Sequence, residues 1–580
     1  MKVILSTLNS KYIHTNLAIR YLKEYVKDIM PIETYEFTIN QSIDSIVSEL
    51  YKKSPDLIGF STYIWNIEQT LKISNIIKIL RPNTKILLGG PEVSFDGVKL
   101  LEEHPFIDYI IYGEGEETFK DLIHGKDLKD IEGLIFRDDE INIIMNPPRL
   151  LIHDLGKIPS PYENIGDEFK NKIVYYESSR GCPFNCKFCL SSTINGVRYF
   201  PIERVKKDIY NLIQVGVSQV KFVDRTFNAN KKYSMEIMDY IMKLNPENIN
   251  FHFEVTAHLI EEDTLDFLRK PKEGLFQFEV GVQSTNLDTI DSIGRVTDFE
   301  KLKKVTKQIR SYKNIHQHLD LIAGLPYEDY NSFKNSFNDV YSIRPEKLQL
   351  GFLKLLKGSE LRINEEIYGF KYLDEPPYEI LENKYISYSD ILKLKGIEDL
   401  VEKYYNEGYF THSVEFIISN FYESPFDFYE AFSEYWDSTD LNKVSHSRND
   451  LYQILLDFYL YKSFDHTDSF KELLKYDYIY NNKKITLPKG IDRIKSITQT
   501  ELHRLLKSDD LLGNYLKEEA GIPTKKLIKN VIAEGFNKDI FEIINNSYLP
   551  SDDNKEIYIL FYYKDKVINR CKTINITKMI

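Results

Sequence analysis

Four cysteines occur in 580 residues, and three of them, Cys182, Cys186 and Cys189, fall within the run RGCPFNCKFC. Thiolates are soft ligands, and three on one short loop can each bind a different iron of a four-iron four-sulfur cluster. With no fourth cysteine nearby, one iron is left open to a substrate or cofactor, and an open iron is a reactive one. A structural zinc site is the competing reading. It needs four ligands, usually as two pairs, and no histidine lies between His153 and His252. The fourth cysteine, Cys571, stands alone in a late strand-like segment and reads as a small buried hydrophobe. Nothing here resembles a disulfide framework.

The cysteine loop directly follows the apolar segment IVYYESS, so it projects from the C-terminal end of a strand, where barrels of strands and helices place their active sites. Six strand-like segments, IVYYESS, QVKFVD, NFHFEVT, FQFEVGVQ, HLDLIAGLP and KLQLGFL, recur over residues 173–356. Helical patterns separate them, as where Val205, Ile209, Leu212 and Ile213 share one face, and the series predicts a partial (β/α)6 barrel. Residues 1–145 show a similar beat in KVILST, ETYEFT, DLIGFST, KILLGG and DYIIYG. A parallel return must cross over the sheet face, so this α/β region predicts a doubly wound parallel sheet. Residues 146–172 carry Pro147, Pro148, Pro159 and Pro161 with little periodicity and predict a linker. Residues 357–580 read as a mainly helical domain, ending in a strand pair around EIYILFYY and KVINRCKTINI.

A net charge of -13 argues against a protein whose main task is gripping nucleic acid by its phosphates. Small-molecule or peptide substrates are favoured. No stretch reaches the uninterrupted apolar length of a membrane span, and MKVILSTLNSKY reads as a first strand rather than a secretory signal, so a cytoplasmic location is expected.

The CxxxCxxC loop after the first strand of a partial barrel resembles the radical S-adenosylmethionine (SAM) superfamily, over residues 173–355 or so. The resemblance implies that the open iron chelates SAM and that an electron from the cluster, delivered by a flavodoxin or ferredoxin-type donor, splits SAM to a 5′-deoxyadenosyl radical. It places Phe188, before the last cysteine, near the adenine. In VDRTFN, Asp224 and Arg225 end the second strand, where an acid can bind the SAM ammonium and an arginine its carboxylate. Glu254, on the third strand, is a candidate acceptor for the ribose hydroxyls, and Gln283, in GVQS, a further SAM ligand.

An alternating domain in front of such a barrel resembles the cobalamin-binding branch of that superfamily, whose Rossmann-like N-terminal domain holds a corrinoid against the barrel mouth. Ligands of a doubly wound sheet bind at the carboxyl ends of its strands. The residues implied are Asn9 after the first strand, Ser61, Tyr63 and Trp65 after the third, Gly89 and Gly90 after the fourth, and Gly113 and Glu114 after the fifth. The DxHxxG motif that supplies a histidine to cobalt is absent, and Tyr63 or Trp65 is expected to cover the corrin instead. No cysteine precedes Cys182, which excludes the related methylthiotransferases with further N-terminal cluster cysteines. The C-terminal region resembles an extension found in one branch of this group. The leading expectation is radical methyl transfer, in which one SAM remethylates the corrinoid and a second makes the adenosyl radical. A corrinoid-dependent rearrangement, cyclisation or oxidation is the first alternative, and a non-catalytic corrinoid or metal sensor the second. No catalytic residue beyond the cluster ligands is assigned.

Overall fold

The computed structural model of the chain describes residues 1–138, 142–194, 196–483, 486–493, 497–519, 521–550, 555–563 and 571–580. The chain divides into two compact units. The first comprises Met1–Ser336, Ile343–Pro345 and Leu350–Ile391; the second comprises Phe337–Ser342, Glu346–Gln349 and Leu392–Ile580.

Unit one opens with a seven-stranded sheet: β1 (Val3–Asn9), β2 (Glu33–Thr38), β3 (Leu57–Ser61), β4 (Lys85–Gly89), β5 (Tyr109–Ile111), β6 (Leu134–Arg137) and β7 (Ile143–Met145). The spatial order is β2-β1-β3-β4-β5-β6-β7, and the first five strands are parallel. Alternation along each strand sends side chains to opposite faces. Ile4, Leu8, Ile58, Phe60, Ile86 and Leu88 build the core on one face, while Val3, Leu5, Leu57, Leu87 and Ile111 build it on the other. Both faces are covered, as near-continuous apolar strands require. Strands β6 and β7 are antiparallel and cap the far edge, an addition to the expected parallel sheet. The strand order reverses between β1 and β3, so the crevice for a ligand lies at the C-terminal ends of these two strands.

The expected linker is a packed segment. Leu155, Ile158, Tyr162 and Phe169 are buried, Ser160 Oγ donates to Asp208 at 2.5 Å, and the Arg204 guanidinium binds the Ile158 carbonyl 2.5 Å away. Polar groups of the helix Ile202–Val215 thus hold a chain that lacks regular hydrogen bonds of its own.

Next come β8 (Ile173–Tyr176), a hairpin of β9 (Ser179–Cys182) and β10 (Gly196–Tyr199), then β11 (Gln219–Phe222), β12 (Asn250–Glu254), β13 (Phe276–Gln283), β14 (Ile315–Ala323) and β15 (Lys347–Phe352). Six of these form one sheet in the order β15-β14-β13-β12-β11-β8, with parallel pairing from β8 to β14. This is the predicted partial barrel; the β9–β10 hairpin is new. Strand β13 alternates buried Phe276, Phe278, Val280 and Val282 with partly open Gln277, Glu279, Gly281 and Gln283. The apolar set packs outward under the helices and the polar set faces the lumen.

Residues Leu350–Ile391 fold with unit one rather than with the helical region. The reason is backbone pairing: Leu353 N–H donates to Ala323 O and Ile380 N–H to Leu353 O, each at 2.9 Å. A short pair, β16 (Lys371–Tyr372) and β17 (Ile380–Glu382), lies in this strap. Lys357 Nζ reaches Glu92 at 3.5 Å and Asp96 at 3.6 Å, tying the strap to the loop after β4.

Unit two is mainly helical, with long helices at Thr411–Phe421, Pro425–Ser438, Arg448–Tyr461 and Thr467–Asn481. Their aromatic stripes interlock, as in Tyr459 stacked on Phe470 with ring centroids 4.0 Å apart. The expected strand pair is a three-stranded antiparallel sheet of β18 (Val531–Phe536), β19 (Ile557–Tyr563) and β20 (Cys571–Asn575). Residues 566–570, placed in the second strand on sequence grounds, lie outside the described residues. Cys571 is buried, and burial pushes its thiol well up, consistent with a hydrophobe. Among the described residues no helix is long and apolar enough to cross a membrane.

Candidate active site

The cysteine loop is the long connection of the β9–β10 hairpin. Two glycines make this hairpin feasible. Gly181 has φ +97, and a Cβ there would lie 2.1 Å from the carbonyl oxygen of Gly196, its diagonal neighbour across the ladder. Only a residue without a side chain brings the two backbones that close. Cys182 ends β9 with its Sγ 3.5 Å from Thr226 Oγ1, in the loop after β11. The loop is tied down by its backbone: Cys189 N–H donates to Cys186 O at 3.0 Å, and Lys187 N–H to Ile293 O at 2.9 Å. Cys189 Sγ accepts from Ser191 N–H at 3.4 Å.

Burial pushes the Cys186 thiol up, the Arg295 guanidinium 3.8 Å away pulls it down, and both other cluster-loop thiols act on it. Among the described residues no three His, Cys, Asp or Glu side chains are arranged to hold a single ion. A four-iron cluster takes each thiolate on its own iron, so its ligands need not converge on one point. Three cysteines on a short loop, two buried and one half-buried, therefore fit the cluster better than they fit zinc.

Asp224 is buried and committed to the chain itself. Its carboxylate accepts from Ser178 N–H at 3.0 Å, Ser178 Oγ at 2.6 Å and Ser179 Oγ at 2.5 Å. It holds the start of the hairpin, and burial pushes its carboxyl up against those bonds. Arg225 is exposed, and its charge acts on both Glu254 and Tyr63. Glu254 is half-buried and its carboxyl is pushed up, first by burial. Phe188 is half-buried on the cysteine loop.

Gln283 follows a bulge in β13 and has φ +72, strained backbone for a side chain of its size. The turn folds its amide back over Gly281, where a Cβ would meet Gln283 Nε2 at 2.3 Å and Arg295 Nη2 at 3.4 Å. Gln283 Oε1 is buried without a hydrogen-bond partner among the described residues, as is Asp320 Oδ1 on the neighbouring strand. Such buried polar groups call for a hydrogen-bond partner from a ligand.

The residues named for the N-terminal domain separate into two sets. Trp65 is 47% exposed and stacked on Tyr63, with centroids 4.4 Å apart and planes 4° from parallel. Its Nε1–H donates to Leu8 O at 3.2 Å. Gly113 has φ +78, and nothing lies within 4 Å of where its Cβ would be. Gly89 is nearly as open, with Ile111 O 3.7 Å from its Cβ position. These groups present a flat aromatic pair and bare backbone at the strand ends, as a broad planar ligand requires. The other set is engaged internally. Asn9 donates to His14 O at 3.0 Å and Glu36 Oε2 at 2.7 Å, and Ser61 Oγ accepts from Asn16 at 3.5 Å. A Cβ on Gly90 would strike Thr62 O at 2.3 Å, so that glycine permits two loops to meet. Glu114 is ion-paired to Arg198 at 2.7 Å and to Arg180 at 3.4 Å.

The lumen holds groups that the sequence did not single out. His252 Nε2 lies 2.8 Å from Glu279 Oε2, and Lys221 Nζ lies 3.3 Å from the same oxygen. These partners hold the Glu279 carboxyl down at about 2, chiefly through the bond to His252. Asp320 is pushed the other way, to about 8, by burial and then by Glu279 and Glu254. Tyr175 OH is 2.8 Å from Nδ1 of His14, which reaches in from the loop after β1. The signal was the polar half of the alternation in NFHFE, FQFEVGVQ and HQHLDLI, which marks a lumen as much as it marks a strand.

Fold and cysteine loop together define a radical SAM protein, and the comparisons agree. Residues 176–340 match the model of the radical SAM superfamily and residues 3–123 that of the B12 binding domain. The chain thus joins a B12 binding domain to a radical SAM domain, and its C-terminal region, residues 366–561, matches the model described as "Protein of unknown function (DUF4080)". Its cofactors are a 4Fe-4S cluster, SAM and cobalamin.

An uncharacterized methyltransferase of Pyrococcus horikoshii is 26% identical over 54% of this chain and 70% of its own length. The cobalamin-dependent radical SAM methyltransferase TokK of Streptomyces tokunonensis is 25% identical over 56% of this chain and 51% of its own. The chain thus spans about half the length of the second relative. The solved structure of OxsB, described as a cobalamin-dependent SAM radical enzyme, shares the fold with a TM-score of 0.60 at 15% identity, over 84% of this chain and 82% of that one.

Proposed function

We propose that this protein is a cobalamin-dependent radical SAM methyltransferase acting on a small molecule or peptide, with a flavodoxin or ferredoxin-type electron donor. The observation that carries the reading is direct bonding between the loop after β1 and the barrel, since Ile173 N–H donates to Ile13 O at 2.8 Å and His14 Nδ1 lies 2.8 Å from Tyr175 OH, which supports a corrinoid domain that faces the SAM barrel. The methyltransferase relatives support the choice of reaction.

Cys182, Cys186 and Cys189 would hold the cluster, and the barrel of residues 173–356 would hold SAM. When bound, this set supplies one-electron cleavage of SAM, hydrogen-atom abstraction and a methyl group carried on cobalt. The chain's own part is placement. Arg225 is a free cation for the SAM carboxylate, Glu254 accepts from hydroxyls, Gln283 offers an unfilled acceptor, and Phe188 gives an apolar face for the adenine. Asp224 acts through Ser178 and Ser179, keeping the cysteine hairpin seated on β11. Tyr63 and Trp65 would cover one face of a bound corrin, and the bare backbone at Gly89 and Gly113 would let it approach.

The test is anaerobic reconstitution of the full chain with iron, sulfide and hydroxocobalamin, followed by metal analysis and incubation with reductant and methyl-labelled SAM. Four irons and one cobalt per chain, with S-adenosylhomocysteine and 5′-deoxyadenosine formed together on addition of substrate extract, support methyl transfer. 5′-Deoxyadenosine without S-adenosylhomocysteine replaces it with a rearrangement, cyclisation or oxidation. Cys186→Ala must abolish both products; if it does not, the cluster assignment falls.

A further inference from the structure

The cysteine hairpin carries an electrostatic oddity. Arg180 on β9 and Arg198 on β10 are direct cross-strand partners, and both are largely buried, at 11% and 14% exposure. Like charges directly opposite on a ladder repel, and a buried guanidinium left without a counter-charge is costly. The counter-charges come mostly from another domain. Glu114 takes Arg198 in a two-pronged pair at 2.7 and 3.1 Å and stands 3.4 Å from Arg180. Glu116 takes Arg180 Nη2 at 2.5 Å, and Glu177 takes its Nε at 3.0 Å. Glu114 also accepts the Ile152 N–H at 2.8 Å, so it is held in one orientation.

Glu114 and Glu116 flank Gly115, at the start of the helix Glu116–Ile123, in the loop after β5. That loop includes Gly113, whose left-handed backbone has open space at its Cβ position, at the ligand end of the sheet. Arg180 is two residues ahead of Cys182 on the strand that delivers it. A shift of the loop therefore moves both guanidiniums, and with them the two strands that flank the cysteines. Bidentate arginine pairs resist such a shift in angle as well as in distance.

Resting on the corrinoid reading above, we propose that Glu114, Glu116, Arg180 and Arg198 form a positioning bracket. Through it, occupancy of the corrinoid-facing loop sets the geometry of the cluster hairpin. None of the four touches a reacting atom. Their role is to make the two cofactor sites sense one another. Supporting groups of this kind change metal-site affinity without being ligands.

The experiment uses the full chain, reconstituted anaerobically with isotopically enriched iron, with and without hydroxocobalamin, in wild type, Glu114→Gln and Arg198→Lys. The Mössbauer spectrum of the oxidised cluster and the cobalt retained after gel filtration are the readouts. Hydroxocobalamin is expected to change the wild-type quadrupole splittings. In Glu114→Gln the iron content stays the same, that change disappears, and cobalamin affinity falls roughly tenfold or more. Arg198→Lys, which keeps the charge and loses the two-pronged geometry, gives a reduced change and serves as the probe if Glu114→Gln does not fold. A wild-type spectrum that ignores bound hydroxocobalamin overturns the bracket while leaving the corrinoid reading intact. A wild-type protein that retains iron but no cobalt overturns the corrinoid reading and the bracket with it.

Discussion

At the scale of single residues, the site is a set of side chains whose surroundings disagree with their ordinary chemistry. Asp320 is pushed up to about 8, so in the folded chain it keeps its proton through pH values where the unfolded chain has released it. The folded state then binds more protons, and stability falls as pH rises from the ordinary carboxylate range, about 4, towards 8. Asp320→Asn removes this slope. Thermal melts should show the variant more stable than wild type at the top of that window, with the gap closing towards its lower end. Gln283 tells a related story through its backbone, because φ +72 costs a non-glycine residue of the order of 1 kcal/mol. Gln283→Gly should raise thermal stability by about that amount while weakening SAM binding, read as a higher Kd in a spectral titration. A variant that gains stability and binds SAM as wild type does would remove Gln283 from the SAM site.

At the scale of elements, the hairpin decides whether the cysteines form a site. The spacing of Cys182, Cys186 and Cys189 was legible in the sequence, but the hairpin beneath them was not. Its strands are four residues each, interrupted by a long loop, and too short for a periodicity to register. Gly181 is the residue to test. Gly181→Ala adds a Cβ at 2.1 Å from the Gly196 oxygen and forces an alanine to φ +97. A loss of about 2 kcal/mol or more is expected, and iron incorporated on reconstitution should drop in parallel. Full incorporation would mean that the hairpin is not what seats the cluster. Elsewhere the sequence reading of elements held where apolar alternation was long. The six barrel strands and the first five strands of the N-terminal sheet follow it. It missed β18, an apolar-rich run in the C-terminal region, which becomes a strand by pairing with β19.

At the scale of the whole molecule, the second unit stands on a buried ion pair of its own. Lys475 is fully buried, with Nζ 3.0 Å from Glu472 Oε2 and 2.9 Å from Gly535 O, and it caps the Phe536 ring at 4.4 Å. Removing one partner leaves the other charge buried without compensation. Lys475→Met should cost about 3–5 kcal/mol in unfolding experiments while the iron bound per chain is unchanged. Unchanged stability would show that Glu472 is neutral in the folded state. The division of the chain also shows where composition stops being informative. Residues 146–172 look like a linker because prolines break their periodicity, yet buried Tyr162 and Phe169 make them part of unit one. Residues 357–391 look like the start of the helical region and instead fold with unit one, where Ile380 N–H donates to Leu353 O at 2.9 Å. The sequence by itself determined the chemistry on offer, because three cysteines at that spacing and six alternating strands are local patterns that a single chain displays in order. Only the tertiary structure decided which polar residues remain available to a ligand. That choice depends on partners far away in sequence: Asp224 is consumed by Ser178 and Ser179, and Glu114 by Arg180 and Arg198, while Gln283 Oε1 and Asp320 Oδ1 are left to be filled.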